Sequence, residues 1–221
     1  MLLENMTVIV TGANGALGRA TALAATGHGA RVIEFDLAFD ADAADRYVVD
    51  LTNPAIIAGC MSTVGPVDAL FNVAGGFDMG PTTHETGDEL WQHMYRMNVL
   101  TLRNIVAAVV PGMLAQGHGA IVNVGALSAR EGQAHMGAYV AAKSTVMRLT
   151  ETMAKELRHQ GINVNAVLPS IIDTPANRAA MPDADFARWV AAPDLAEVIC
   201  FLGSPRARAV HGALVPVAGL S

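Results

Sequence analysis

The sequence predicts a single α/β domain whose sheet is parallel and covered by helices on both faces. Short apolar runs alternate with longer helical patterns along the whole chain, and this alternation is typical of strand–helix–strand units. Hydrophobic residues make up 52% of the chain and charged residues only 15%, which favours strands buried on both faces. Because 221 residues most simply fold around one core, we expect one domain over residues 1–221.

Seven runs have the length and composition of buried strands. They are 6–11, 30–36, 46–50, 67–73, 119–125, 162–169 and 212–217. The stretches between them, rich in Ala, Leu and Met, predict helices near 16–28, 53–64, 88–115, 134–160 and 193–203. Right-handed crossovers between parallel strands then give a doubly wound sheet. The stretch 170–192 has no sustained period, and we expect it to form a loop over a substrate site.

Charge and cysteine content exclude several classes of function. The net charge is -6, and the 14 Lys and Arg residues form no run, which argues against nucleic-acid and acidic-membrane partners. Cys60 and Cys200 have no metal-ligand spacing, and the seven histidines are scattered, so we expect no metal site. No apolar run reaches the roughly 20 residues of a membrane span, and none resembles a signal peptide. A cytoplasmic protein with a small-molecule partner is expected.

A glycine-rich turn follows the first predicted strand. The sequence TVIVTGANGALG places Gly12, Gly15 and Gly18 where that strand turns into a helix. Small residues there let backbone N–H groups approach a pyrophosphate, and the helix N-terminus favours its charge. The second predicted strand ends in Asp36, which can accept hydrogen bonds from an adenosine ribose and would repel a 2′-phosphate. The sequence therefore predicts a Rossmann-type nucleotide site that prefers NAD(H) to NADP(H).

Asp50 has two interpretations of equal weight. It ends the third predicted strand in VVDLT, where its carboxylate could meet the adenine amino group. Alternatively, the same stretch marks the beginning of a helix, with Thr52 and Asn53 as candidate caps.

Five motifs together resemble the short-chain dehydrogenase/reductase family over nearly the whole chain. They are TGANGALG (11–18), with Ala16 where a glycine is usual, NVAG (72–75), Asn98 in YRMNVLT, Tyr139 and Lys143 as Tyr-x-x-x-Lys, and PSIIDTP (169–175). A single motif is weak evidence, but five in the family's order between the expected elements are strong. The resemblance implies hydride transfer between NAD(H) and a small carbonyl or alcohol substrate. It also implies a homodimer or homotetramer in which the long helices pair.

The resemblance implies a set of site residues as well. Tyr139 would be the general acid/base, Lys143 would bind the nicotinamide ribose, and Asn98 would complete a proton relay. The implied cofactor contacts are Gly12, Asn14, Gly15, Ala16, Leu17, Gly18, Asp36, Asp50, Leu51, Asn72, Ala74, Gly75, Tyr139, Lys143, Pro169, Ile172 and Thr174. Ile172 and Thr174 would hold the carboxamide.

Tyr139 and Lys143 are spaced i, i+4, which places them on one helical face. A phenol near pKa 10 is a poor base at neutral pH, and an adjacent ammonium is expected to favour the phenolate. The alternative is a lysine that extends its charge to solvent beside an amphipathic tyrosine. Asn98 could likewise be a solvated helix residue.

The family's catalytic serine is missing at its usual place. Counting 13 residues back from Tyr139 gives Ala126, and Ser128 lies two residues too late. The segments GALG, VAGG and LPSIIDTPANRAAMPDADFARW resemble more closely the dihydropteridine-reductase branch, which reduces a quinonoid pterin with NADH and lacks that serine. Two alternatives therefore accompany the carbonyl reaction: a quinonoid dihydropteridine-type reductase, and a non-catalytic nucleotide-sensing regulator on the same fold.

Overall fold

A computed structural model describes residues 1–221. Its main sheet contains seven parallel strands in the order β3-β2-β1-β4-β5-β6-β9. The strands are β1 (Thr7–Thr11), β2 (Arg31–Asp36), β3 (Arg46–Val48), β4 (Ala69–Asn72), β5 (Gly119–Val124), β6 (Ile162–Pro169), β7 (Ile172–Asp173), β8 (Val190–Ala191) and β9 (Leu214–Val217). The prediction of a doubly wound sheet of about seven strands is confirmed, although β3 and β9 are shorter than expected.

Seven α-helices connect the strands. They are α1 (Ala16–Gly27), α2 (Pro54–Val64), α3 (Asp88–Tyr95), α4 (Thr101–Gln116), α5 (Gly137–Leu157), α6 (Pro175–Ala180) and α7 (Ala192–Leu202). A π-helical turn, Arg96–Leu100, joins α3 to α4. The stretch predicted as one helix over 88–115 is therefore interrupted by a change of helical type.

The sheet separates two apolar cores. On one face the fully buried Ile9 and Ile33 pack with side chains from α2, α4 and α5. On the other face Val8 and Val10 pack with side chains from α1 and α7. Because successive strand residues point to opposite faces, β1 supplies both cores at once. Burial of each side chain of this size stabilises the fold by about 1.5–3 kcal/mol. This packing holds in place the carboxyl ends of β1 and β4, where the site is built.

The segment 170–192 is more regular than the sequence predicts. Its two short strands pair with each other, Ile172 with Val190 and Asp173 with Ala191, and α6 lies between them. Arg178 donates to both carboxylate oxygens of Asp173 at 2.6 and 2.7 Å. The expectation of an irregular loop is wrong in this respect, because strand pairing and this bidentate pair order a stretch with no apolar period.

The C-terminal residues hold this segment from outside. The Arg188 guanidinium donates to the Leu220 carbonyl at 3.1 and 3.0 Å, and the Leu220 N–H donates back to the Arg188 carbonyl. The Ser170 hydroxyl donates to the Ala218 carbonyl at 2.8 Å. Both ends of the segment are thus tied to the chain that follows β9.

One helical stretch, Asp88–Gln116, is long and apolar enough by composition to cross a membrane. Its Ile105 and Met113 are fully buried in the core on the α2, α4 and α5 face. The core helix of a globular protein satisfies the same criteria of length and composition.

Candidate active site

A cavity of about 1110 Å³ opens at the carboxyl ends of the central strands. It lies where the strand order reverses between β1 and β4, the position at which doubly wound sheets bind nucleotides. Its lining includes Gly12, Asn14, Gly15, Ala16, Leu17, Gly18, Asp36, Asp50, Leu51, Ala74, Gly75 and Thr174 from the predicted set. Asn72, Asn98, Tyr139, Lys143, Pro169 and Ile172 lie outside that lining. Most of the sequence-predicted nucleotide residues are thus brought together around one cavity.

The glycine turn packs closely against the neighbouring backbone only because it lacks side chains. Gly12 has φ +66°, and a Cβ there would lie 2.8 Å from the Cα of Ala74. A Cβ on Gly18 would lie 2.0 Å from the Gly12 carbonyl oxygen. The turn therefore packs tightly onto the start of α1, with its backbone facing the cavity, as a pyrophosphate site requires. Ala16 is the first residue of α1, so its methyl group is compatible with the turn.

Asp36 ends β2 at the edge of this cavity. Its Oδ2 accepts a hydrogen bond from the Asn14 N–H at 2.8 Å, and its Oδ1 accepts one from the Leu37 N–H at 2.7 Å. These bonds fix the carboxylate beside the glycine turn, where an adenosine ribose would be held. The residues present therefore fit a nicotinamide dinucleotide.

The structure confirms the helix-start interpretation of the Asp50 stretch, and the contact of Asp50 with adenine stays a prediction. Its Oδ1 accepts from the Thr52 N–H at 2.8 Å and from the Thr52 hydroxyl at 2.7 Å, and these bonds lower the pKa of the Asp50 carboxyl. Asn53 is the actual N-cap of α2, since its Oδ1 accepts from the Ala55 N–H at 3.0 Å. Asp50 also lines the cavity.

A buried polar network positions the NVAG segment. The Asn72 amide donates to Asn123 Oδ1 at 2.8 Å, and the Asn123 amide donates to the Thr150 hydroxyl at 2.8 Å. The Ala74 N–H donates to Thr11 Oγ1 at 3.1 Å. Asn72 therefore acts by tying β4 to β5 and α5 rather than by lining the cavity.

Gly75 lies between the nucleotide cavity and the predicted catalytic residues. It lines the cavity, and a Cβ placed on it would lie 2.7 Å from Asn98 Oδ1 and 3.2 Å from Lys143 Nζ. Asn98 lies in the π-helical turn, is buried, and donates to the Gly76 and Met94 carbonyls at 3.1 and 3.0 Å. The alternative of a solvated asparagine is therefore wrong.

Lys143 is buried and donates to the Val124 carbonyl at 2.8 Å. Burial lowers the pKa of Lys143 to about 8, because removing an ammonium from water disfavours its charged form. The lysine does not extend its charge to solvent, so that alternative is also wrong.

Tyr139 lies one helical turn before Lys143 on α5, with its ring edge-on to Phe77 at a centroid distance of 4.9 Å. Burial raises the pKa of the Tyr139 phenol to about 12. In the coenzyme-free chain the desolvation cost of a phenolate therefore dominates the pKa of Tyr139, and the expected effect of Lys143 on that pKa stays a prediction.

Ala126, at the family's serine position in the sequence, lies in the core close to α5. It is buried, and Tyr139 packs against the small cluster that contains it. Ser128 lies in a short 3₁₀ helix, Leu127–Arg130, and is only half-buried. The Ser144 hydroxyl donates to the Ala129 carbonyl at 2.8 Å and ties this helix to α5. The position 13 residues before Tyr139 therefore carries a methyl group and no hydroxyl.

The family model for short chain dehydrogenase matches residues 6–185. The chain belongs to this family. It is an NAD(P)-dependent oxidoreductase of the short-chain dehydrogenase/reductase type. A 3-oxoacyl-[acyl-carrier-protein] reductase, FabG, from Vibrio cholerae is 30% identical, with 99% of this chain and 98% of the relative covered.

Solved structures agree with the family's fold. A protein provisionally assigned as an NAD(P)-dependent gluconate 5-dehydrogenase from Beutenbergia cavernae, with bound NADP, has a TM-score of 0.89 at 28% identity and covers 99% of this chain and 97% of its own. Carveol dehydrogenase from Mycobacterium avium, in complex with NAD, has a TM-score of 0.87 at 25% identity, with coverage of 99% and 98%. Solved relatives thus include complexes with either coenzyme.

Sequence reasoning missed one wall of the cavity in this dehydrogenase. Glu89, Gln92, His93 and Arg96 from the α3 region all line it. Their i, i+3, i+4, i+7 spacing is a polar helical face, a signal that by itself does not distinguish a cavity wall from a solvated surface.

The carboxamide residues are arranged around the beginning of α6. The Thr174 hydroxyl caps α6 by accepting from the Asn177 N–H at 3.1 Å, and the Asn177 amide donates to the Ile172 carbonyl at 2.8 Å. Pro169 ends β6 beside β9. Thr174 lines the cavity, whereas the role of Ile172 toward a carboxamide stays a prediction.

Proposed function

We propose that this dehydrogenase transfers hydride between NAD(H) and a small carbonyl or alcohol substrate. The observation that carries the proposal is the position of Gly75, which touches the nucleotide cavity on one side and lies against Lys143 and Asn98 on the other. A cofactor in the cavity and the proton-handling groups on α5 would therefore share one small region. Such a juxtaposition is what hydride transfer coupled to proton transfer requires.

The bound nicotinamide would supply or accept the hydride. The glycine turn would hold the pyrophosphate, and Asp36 would accept hydrogen bonds from the adenosine ribose. Lys143 uses one donor on the Val124 carbonyl, which leaves its other N–H groups for the nicotinamide ribose.

Tyr139 would act on the substrate oxygen. Because burial raises the pKa of its phenol to about 12, the neutral form predominates at physiological pH and can donate a proton to a carbonyl oxygen. This neutral form can protonate the carbonyl oxygen during reduction. Asn98 would hold the segment after NVAG in place through its bonds to Gly76.

Ala126 supports a second candidate, a quinonoid dihydropteridine-type reductase. A simple ketone benefits from a second hydroxyl donor beside the tyrosine, and Ala126 offers none. A quinonoid ring gains aromatic or near-aromatic stabilisation on reduction and is already activated, so it needs that donor less.

We also propose that the protein is a homodimer or homotetramer in the cytoplasm. A shallow hollow of about 400 Å³ lies between α3 and α5, lined by Trp91, Tyr95, Ala141 and Thr145 among others. Small residues on α5 allow the close approach of a second helix, which supports pairing of the long helices.

The experiment is an NADH-oxidation screen of the purified protein against small carbonyls, quinones and quinonoid dihydropterin. Turnover of a carbonyl supports the main proposal, and turnover of the dihydropterin alone supports the second candidate. Tyr139→Phe is the matched control, since the phenylalanine ring keeps the packing on Phe77 and removes only the hydroxyl. NADH binding with no turnover of any substrate would refute both candidates.

A further inference from the structure

Arg19 lies on α1 outside the cavity lining and is hydrogen-bonded to Asn14, which lines the nucleotide cavity beside Asp36. Its Nε donates to the Asn14 carbonyl at 2.8 Å, and one terminal nitrogen donates to Asn14 Oδ1 at 2.6 Å. The Asn14 N–H in turn donates to Asp36 Oδ2 at 2.8 Å. Through one residue, therefore, the guanidinium is tied to the carboxylate that faces the adenosine ribose. Two bonds to Asn14 fix the plane of the guanidinium and not merely the position of its charge.

Asp40 neutralises this arginine. The same terminal nitrogen of Arg19 donates to Asp40 Oδ2 at 2.6 Å, and the two side chains are 57% and 78% exposed. An ion pair so exposed contributes little to the stability of the fold. The pair matters more for the local charge. Asp36, Asp40 and Arg19 together carry one net negative charge, which would lie near the ribose.

We propose that Arg19 is a latent site for a phosphate monoester at the 2′ position of the coenzyme, and that Asp40 keeps it from acting as one. Asn14 pre-positions the guanidinium, and Asp40 occupies a donor that a phosphate oxygen would otherwise use. Discrimination against NADP(H) then rests on two residues, Asp36 at the ribose and Asp40 at the cation.

The chemistry of the guanidinium favours phosphate over other ligands. Its planar set of N–H donors matches two oxygens of a phosphate, which makes arginine a preferred phosphate partner. Arg19 keeps its Asn14 contacts when Asp40 is removed, so little side-chain ordering is needed on binding. A dianionic 2′-phosphate would then gain a fixed cation in place of a neighbouring anion.

This proposal rests on the proposed use of the cavity for a nicotinamide dinucleotide. Binding rather than turnover is therefore the measurement, so that the two proposals can fail separately. Dissociation constants for NADH and NADPH would be measured by calorimetry on the full chain for the wild type, Asp40→Asn, Asp42→Asn and the double variant Asp40→Asn/Arg19→Met. Asp42→Asn is the matched control because it removes the same charge from the same exposed loop, and the hydrogen bonds of Arg19 involve Asp40 rather than Asp42.

Asp40→Asn is expected to tighten NADPH binding about 5- to 10-fold while NADH binding changes less than about twofold. Asp42→Asn should change NADPH binding less than about twofold, and the double variant should lose the gain. Equal gains in Asp40→Asn and Asp42→Asn would overturn the proposal, since general repulsion would explain both. A gain that survives Arg19→Met would overturn it as well, and so would no gain at all. If the wild type binds neither coenzyme, the nucleotide site itself is refuted; if it binds NADH but turns over no substrate, only the proposed reaction fails.

Discussion

Replacing Lys143 with methionine should flatten the rise of stability with pH above neutrality. Lys143 is buried, and burial lowers the pKa of its ammonium from 10.5 to about 8. Below about pH 8 the group is charged in both the folded and unfolded chain, and the fold carries the full cost of burying that charge. Between the two pKa values the folded chain loses the proton first, so wild-type stability rises with pH until the cost is gone.

The magnitude follows from the separation of the two pKa values. Each pKa unit corresponds to about 1.4 kcal/mol, so the separation from 10.5 to about 8 corresponds to about 3 kcal/mol in total. Between about pH 7 and pH 9.5 roughly 2 kcal/mol of this is released. Methionine fills a similar volume and has no proton to lose, so the Lys143→Met chain should lack this gain.

The assay is equilibrium urea unfolding of both chains at a series of pH values and one fixed protein concentration. The quantity of interest is the difference in free energy of unfolding between the two chains, because groups such as Tyr139 titrate in both and cancel. Between about pH 7 and pH 9.5, the free energy of unfolding of the wild type should rise by about 2 kcal/mol relative to that of Lys143→Met. Parallel curves for the two chains would show that Lys143 is not desolvated as its burial implies.

Three further outcomes are expected. Tyr139→Phe should lower kcat by about 10²- to 10⁴-fold while NADH still binds, whereas Ser128→Ala should lose less than about tenfold; equal losses would place Ser128 in the serine's role. The wild-type kcat/KM with NADH should exceed that with NADPH by about 5- to 30-fold, and Asp36→Ala should reduce this ratio. Equal kcat/KM values for the two coenzymes in the wild type would contradict the preference for NADH. Limited proteolysis should cut residues 170–192 more slowly with NADH and substrate bound, and identical cleavage would count against a lid.

The fold was predictable because its signals are repeated along the chain. Each buried strand such as 67–73 carries its own apolar run, and Gly18 is required by the adjacent Gly12 carbonyl within the same turn. Local patterns of this kind predict the same secondary structure whichever tertiary contacts the element makes.

The details of the site depend on contacts between distant residues, which no local pattern carries. The pKa of Tyr139 is set by what buries its ring, including Phe77 from a different loop. The order within 170–192 depends on pairing between its two ends and on the tail that follows β9. The assignment of Ala126 to the serine position rests on a count of 13 residues back from Tyr139, and it stays a prediction.

The π-helical turn at Arg96–Leu100 allows one helical rod to serve two different surfaces. A π turn accommodates one more residue than an α turn, and one residue corresponds to about 100° of rotation about the helix axis. On α3, Gln92 faces the nucleotide cavity while Met94 packs in the apolar core, and on α4, Thr101 lines the cavity while Ile105 packs in that core. Deleting a single residue here would straighten the rod into a regular α-helix, and one of these two surfaces would then be turned away from the partner it now contacts.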